Sequence, residues 1–302
     1  MRIYIVGSGG VGGYFGGLLA KAGSDVTFVA RGEHFKELKN NGLTIKSVVE
    51  DFKINPVKVI EKVSDIIDPD LVLFTVKTYD TESVARELAS VVNENTVVIT
   101  FQNGVDNDNQ IKKYLPKAQV YPGVAYVIST KTKVGLIEQT GGLRKMFFGD
   151  RNNPSNSKLK EIEKLIRDSN IDATASDDIT RDLWKKYMFI SAFSGMTAVC
   201  RSPIGKIMGN VQAKSLYERC VKEAVEVATV MKVNVAEDAF KTIMDISEST
   251  SSDSKSSLLA DVERGGKNEI ESLNGSLVKF ARQNSIDVPI NELIYVAIKL
   301  GG

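Results

Sequence analysis

An α/β half followed by an all-α half is the fold class that the sequence predicts, and three observations carry it. First, a short β-rich run, Ile3 to Val6, stops at Gly7, and Gly7, Gly9 and Gly12 fall at the spacing G-x-G-x-x-G before Leu18, Leu19 and Ala20 resume as the apolar face of a helix. Second, Asp70 to Val76 (DLVLFTV) and Thr96 to Phe101 (TVVITF) are nearly continuous β-rich runs, as parallel strands covered on both faces require. Third, strand patterns largely disappear from Ile179 onward and long helical patterns take over. The boundary is therefore placed near Asp178, giving domains 1–178 and 179–302.

Strand, glycine turn and helix together predict a Rossmann-type dinucleotide-binding domain. Gly7 permits the sharp turn, Gly9 lets a pyrophosphate approach the backbone, and Gly12 lets the helix lie close on the sheet. The first-turn N–H groups lack intrahelical acceptors and carry the positive end of the helix dipole, so Gly7, Ser8, Gly9, Gly10, Val11 and Gly12 form the expected cofactor cradle. Gly13, Gly16 and Gly17 continue a glycine face down the helix, although each costs roughly 1 kcal/mol against Ala. Something must approach that face closely.

The second strand, Asp25 to Ala30, delivers Arg31 where a ribose 2'-substituent would lie. A carboxylate there favours a 2'-hydroxyl, whereas an arginine attracts a 2'-phosphate, so NADP(H) is the expected cofactor, with Glu33 the nearest acid. Leu43 to Ile45 and Phe52 to Ile54 read as short strands. Asp70 to Val76 delivers Lys77, and Thr96 to Phe101 delivers Gln102, Asn103 and Gly104. Ligands of open α/β sheets bind beyond the carboxyl ends of the strands, so the glycine turn, Arg31, Lys77 and Asn103 point to one crevice. Gln119 to Ile128, Leu136 to Gln139, Lys145 to Gly149 and Ile171 to Ser176 read as further strands, and Ser155 to Ser169 as an amphipathic helix.

In the second half, Thr180 to Cys200 begins polar and turns strongly apolar. Lys186, Ile190 and Ser194 recur every four residues on one helical face, and a lysine entering such a run is unusual because burial of an ammonium lowers its pKa. Leu216 to Met231 and Asp238 to Ile246 are further helices. The serine-rich Ser247 to Ser257 reads as a flexible or substrate-facing loop, and Leu258 to Val262 restarts a helix that Gly265 and Gly266 end. Asn268 and Glu269 open the next, and Pro289 begins the last, Ile290 to Leu300.

Composition narrows the chemistry. With 39 Lys plus Arg against 38 Asp plus Glu in 302 residues, a net of +1, no global basic field argues for nucleic acid. Cys200 and Cys220 lack metal-site spacing and read as buried thiols of a reducing compartment. Tyr187 to Cys200 is too short and too interrupted for a membrane helix, and a soluble, cytoplasmic protein is expected. His34 is the sole histidine, which leaves lysine as the leading proton donor.

With these pieces placed, the chain resembles the ketopantoate (2-dehydropantoate 2-) reductase family in an ordered series. GSGGVG lies at Gly7 to Gly12, followed by Ala30-Arg31, TVK ending at Lys77, QNG at Gln102 to Gly104 and LWKK at Leu183 to Lys186, then SSLLAD at Ser256 to Asp261 and NEIESLNG at Asn268 to Gly275. The resemblance implies that Arg31 contacts the 2'-phosphate of NADPH and that Lys77 and Asn103 lie near nicotinamide, ribose and substrate. It implies Lys186 as general acid, Ser257 as carboxylate holder, and Glu269 as the residue that binds substrate hydroxyl and orients Lys186. The family often places asparagines four and eight residues beyond the lysine, where this chain has Ile190 and Ser194, and Ser254 likewise stands where asparagine is common. These three residues are expected to line a more apolar substrate pocket. The implied reaction is NADPH-dependent reduction of a small 2-keto acid, ketopantoate, to pantoate on the way to pantothenate and coenzyme A. The alternatives are a reductase of another branched 2-keto acid and a non-catalytic NADP sensor. The apolar stripes of the helical half are where a homodimer would bury surface.

Overall fold

The computed structural model describes residues 1–301. Contacts divide them into two compact units, Met1–Gln102 with Asp106–Ile179, and Asn103–Val105 with the chain from Thr180 onward. An α/β Rossmann-like domain is followed by an all-α domain. The two units are not quite contiguous in sequence, because Asn103–Val105 groups with the helices.

The first unit contains β1 (Arg2–Val6), α1 (Gly10–Lys21), β2 (Asp25–Val29), α2 (Gly32–Asn41), β3 (Leu43–Ser47), β4 (Phe52–Ile54), β5 (Lys58–Ile60), β6 (Leu71–Phe74), α3 (Thr81–Leu88) and β7 (Val97–Thr100). After the Asn103–Val105 segment it continues with α4 (Asn107–Lys112), β8 (Gln119–Lys133), β9 (Leu136–Phe148), α5 (Ser157–Asp168) and β10 (Asp172–Ala175). Six strands run parallel in the spatial order β5-β2-β1-β6-β7-β8, which in chain order is the doubly wound 3-2-1-4-5-6 arrangement with β3 and β4 inserted. Beyond β8 the sheet continues into antiparallel β9, whose far edge pairs first with β3 and then with β10. Alternation on β1 shows why its run is continuously apolar: Ile3 and Ile5 enter the core on one side, Tyr4 and Val6 that on the other.

The glycine face of α1 has an observed cause. A Cβ at Gly16 would lie 2.7 Å from Ile5 and 2.8 Å from Phe28, and one at Gly13 would lie 2.7 Å from Ile137. At Gly17 the nearest atom belongs to Ile45, at 3.2 Å. The extended sheet thus closes over α1 from two sides, β1 and β2 on one and β9 and β3 on the other. A side chain at Gly13 or Gly16 would force its neighbours to move, whereas Gly17 is less tight.

The second unit is built of α6 (Ile179–Cys200, grouped with this unit from Thr180), α7 (Ile204–Met208), α8 (Val211–Val230), α9 (Ala239–Ser249), α10 (Ser257–Glu263), α11 (Ser276–Gln283) and α12 (Pro289–Gly301). Trp184 of α6 meets Tyr187 edge to face at 5.3 Å and tilts against Phe280 at 6.0 Å. The buried Glu223 carboxylate accepts the Ile290 and Asn291 N–H groups at 3.0 and 2.9 Å, satisfying two donors in the first turn of α12. No described helix is long and apolar enough to cross a membrane.

Several expectations need correction. Leu136 to Gln139 and Lys145 to Gly149 are one strand, β9, because Gly141 and Gly142 are absorbed where the pairing with β8 shifts register rather than making a turn. Ser247 is helical and buried, exchanging a hydrogen bond of 2.7 Å with Tyr217, so the serine-rich loop begins only after Ser249. Asn268 and Glu269 precede the helix they were expected to open, since the chain first makes a π-helical turn over Glu271–Gly275. Cys200 is exposed; only Cys220 is a buried thiol. The short elements α2, β5, α3, α4 and α7 add to those anticipated.

The approach at Gly12 is tighter than at Gly13, Gly16 or Gly17: a Cβ there would collide with the Gly7 carbonyl and the Thr75 hydroxyl and lie 2.9 Å from Ile5. A backbone carbonyl cannot swing aside. Gly12→Ala is expected to destabilise the protein by about 1–3 kcal/mol, read as a lowered urea midpoint; an unchanged midpoint would contradict the packing described.

Candidate active site

The parallel register aligns Val6 with Val29 and Phe74, and Phe74 with Thr100, so β1, β2, β6 and β7 end side by side. Just beyond those ends lie the glycine turn, Arg31 and Lys77, while Asn103 follows β7 in the chain and groups with the helices. Gly7 has φ +106°, a conformation reserved in practice for glycine, and a Cβ there would strike the backbone of Thr75 and Val76. Gly9, before the first residue of α1, is different: a Cβ there would meet no heavy atom within 4 Å. The first turn of α1 holds no acidic residue. Gly10, the first residue of α1, lies against the Ser129 backbone, so the approachable part of this acid-free helix N-terminus is the Gly9 backbone, where a diphosphate fits.

Three neighbours hold this turn in shape. Thr75 Oγ1 donates to the Gly7 carbonyl at 2.7 Å, a role visible only as a polar residue inside an apolar run. Ser8 is buried and its hydroxyl donates to Val29 O at 3.1 Å, so only its backbone remains for the cradle assigned to it. His34 accepts the Gly135 N–H at Nδ1 (3.0 Å), which leaves the proton on Nε2 to donate to Ser8 O at 2.9 Å. Burial lowers its pKa despite that second bond, and the ring stays neutral. The lone histidine is a staple between the turn, α2 and the β8–β9 hairpin.

Arg31 immediately precedes α2 and is about half exposed, with its guanidinium 3.2 Å from the Glu87 carboxylate of α3. Lys77 is half-buried and leads into a 3-10 turn, Thr78–Asp80. Gln102, which spacing alone did not single out, fixes the ends of β6 and β7 against each other: it donates to Val76 O at 2.9 Å and to Thr81 Oγ1 at 2.8 Å.

In the helical unit, Lys186 Nζ donates to Asn103 Oδ1 at 2.8 Å. Burial pushes the Lys186 pKa down to about 8, while the Glu269 carboxylate opposes the fall by favouring the charged form. Glu269 is itself buried, in the short segment ahead of the π-helical turn. Tyr187, next to Lys186, donates to Leu273 O at 2.6 Å and so ties α6 to that same turn. An ammonium that titrates near neutrality and is held by an amide oxygen can give up a proton at working pH.

The structure brings Lys186, Asn103 and Glu269 together, and it leaves the expected substrate residues less uniform. Ile190, half-buried, and Ser194, buried, follow Lys186 at successive turns of α6. Ser254 is partly buried, and its carbonyl accepts the Ile204 N–H at 3.1 Å. Ser257 is exposed as the first residue of α10, while its neighbour Ser256 supplies the cap, accepting the Leu259 N–H at 3.0 Å.

Because Glu269 holds the charged form of Lys186, Glu269→Gln is expected to move the lysine pKa below about 8. Titration of the isotope-labelled Lys186 side chain by NMR checks this. A pKa unchanged or raised in the variant would mean that the carboxylate does not act on the ammonium.

Comparison with known proteins follows the same division. Residues 3–153 match the family described as Ketopantoate reductase PanE/ApbA, and residues 178–301 match its C-terminal counterpart. The chain is 31% identical to a 2-dehydropantoate 2-reductase of Archaeoglobus fulgidus, with 97% of this chain and 95% of that one aligned. It is 28% identical to an uncharacterized oxidoreductase, YkpB, of Bacillus subtilis, over 99% and 98% of the two chains. The crystal structure of a PanE/ApbA family ketopantoate reductase from Ralstonia eutropha superposes with a TM-score of 0.91 at 27% identity, covering 99% of this chain and 98% of that one. An N-terminal dinucleotide-type fold, a helical C-terminal half and matches along both together show that this chain belongs to the ketopantoate reductase (PanE/ApbA) family of oxidoreductases.

Proposed function

We propose that this protein catalyses the NADPH-dependent reduction of 2-dehydropantoate (ketopantoate) to pantoate, as a cytoplasmic step towards pantothenate and coenzyme A. The observation that carries the reading is the Lys186 ammonium, poised near pH 8 and held by Asn103 and Glu269. The reduced nicotinamide, when bound, supplies a hydride to the ketone carbon. All else falls to the chain. The glycine turn and the N-terminus of α1 accept the diphosphate, with Arg31 directed to the 2'-phosphate and Lys77 and Asn103 to the nicotinamide end. Lys186 stabilises the negative charge that develops on the ketone oxygen and transfers one proton from Nζ to it, forming the hydroxyl. The neutral amine then recovers a proton from solvent. Asn103 keeps Nζ in place, and Glu269 favours its protonated state before the reaction. Ser254 and Ser257 are assigned to the substrate carboxylate end, Ile190 and Ser194 to its alkyl end.

A second reading has one specific observation behind it. Ile190 offers hydrocarbon on the Lys186 face of α6, and Ser194 is a short side chain one turn further on. A wall of that kind suits a 2-keto acid with a bulkier apolar branch than ketopantoate.

Mixing protein, NADPH and ketopantoate while following nicotinamide absorbance tests the first reading; faster turnover of another branched 2-keto acid would establish the second instead. Lys186→Ala is expected to lower kcat by about 10²–10⁴-fold, and unchanged NADPH oxidation by that variant would remove Lys186 from the mechanism. Arg31→Ala is expected to raise the KM for NADPH at least about tenfold, on the scale of one charge-assisted contact, with little effect on NADH. Equal loss with both cofactors would contradict the phosphate role.

A further inference from the structure

A cavity of about 660 Å³ opens at the carboxyl end of β2, lined among others by Arg31, Glu61, Lys62, Ser64, Arg86 and Glu87. All of these residues belong to the α/β unit. The mixture of charges is not what a simple anion pocket needs. Two carboxylates share the space with three cations, and each already takes a donor. Glu61 Oε1 accepts the Gly32 N–H at 3.2 Å, in the first residue of α2. Glu87 is closer to the point: its two oxygens lie 3.3 and 3.2 Å from the same Arg31 nitrogen, Nη2. Arg86, beside it in sequence, is already engaged, paired with Glu82 at 2.8 Å and lying over the Tyr114 ring at 4.5 Å.

We infer that Glu87 sets how strongly this chain discriminates a 2'-phosphorylated adenosine from an unphosphorylated one, by competing with the phosphate for the Arg31 guanidinium. The inference rests on the dinucleotide reading of this site and deepens it. Both members of the pair are about half exposed, 54% for Arg31 and 47% for Glu87, so the bond that holds them is of the weak, water-screened kind. A phosphomonoester brings up to two negative charges and three acceptor oxygens, and it can displace one carboxylate from arginine. The displaced carboxylate stays tethered to α3, close enough to repel the incoming dianion. Affinity for the phosphorylated ligand is therefore held below what Arg31 alone would give, with Lys62 on the same wall offsetting part of the repulsion. A ligand with a bare 2'-hydroxyl neither needs the guanidinium nor suffers the repulsion. Glu87 thus narrows the gap between the two cofactor types.

The test is direct binding of cofactor fragments to the full-length protein, with no turnover involved. Isothermal titration with 2',5'-ADP and with 5'-AMP isolates the 2'-phosphate. Glu87→Gln keeps shape and hydrogen bonding while removing the charge, and is expected to tighten 2',5'-ADP binding about fivefold at low salt, the scale of one screened ion pair plus a charge repulsion. Binding of 5'-AMP should not change. The gain should shrink as salt is raised. Unchanged or weaker 2',5'-ADP binding to the variant, with the wild type still preferring 2',5'-ADP, would show that Glu87 orients Arg31 instead of competing for it, and would overturn the inference while leaving the NADP assignment standing. A wild-type protein that binds 5'-AMP as tightly as 2',5'-ADP would overturn the NADP assignment and the inference with it.

Discussion

Keeping an ammonium largely out of water is the constraint around which the surroundings of Lys186 are arranged. A lysine removed from water loses hydration that few side chains can replace, so it either becomes neutral or finds partners. Lys186 does some of both. Its pKa falls to about 8, yet Asn103 Oδ1 sits 2.8 Å from Nζ and the Glu269 charge resists further loss. Supplying those partners dictates much of the local architecture. Asn103 comes from 83 residues earlier in the chain, at the end of β7, and groups with the helices rather than with its own strand. Glu269 comes from a segment that the Tyr187–Leu273 hydrogen bond joins to α6 itself. One half-buried ammonium is thus met by groups from distant stretches of sequence.

The α/β half is organised by a different constraint, close approach of backbone. The helix after the glycine turn is contacted on two sides by one sheet, and Gly13 and Gly16 admit Ile137 on one side and Ile5 with Phe28 on the other. That proximity brings the β8–β9 hairpin over the turn, where His34 can reach Gly135 and Ser8 together. A helix with alanines along this face would gain intrinsic propensity and lose the sheet that covers it. The gain is roughly 1 kcal/mol per residue, small beside the loss of buried contact along a whole helix.

What was legible in the sequence follows from these two constraints. Strands β1, β6 and β7 are buried on both faces, so their residues had to be continuously apolar and announced themselves. Helix α2, GEHFKELKNN, was not legible, because it buries only His34 and Leu38 and the rest faces water. Two glycines in the middle of β9 mimic a turn, and only pairing with β8 over most of its length keeps the strand intact. Lys186 stood out as a charge entering an apolar run, and the ordered motifs pointed to Glu269. The residues that brace the site were harder to read. Gln102, Thr75 and Tyr187 act through hydrogen bonds to backbone carbonyls far away in the chain, and nothing in local periodicity encodes such a partner.

The two cations central to the functional reading show why arginine and lysine are not exchanged between them. Arg31 is half exposed and beside a carboxylate, and a guanidinium does not give up its proton, which suits the proposed contact with a phosphate. Lys186 is placed where burial brings its proton within reach of neutral pH, which suits a donor and would be wasted on a binding contact. A guanidinium at position 186 would remain charged under the same burial and could not deliver its proton. An ammonium at position 31 would lose the planar fork that phosphate and carboxylate both engage, and Glu87 would then hold a weaker partner. On the proposed roles, the residue type at each site matches whether the charge stays or leaves.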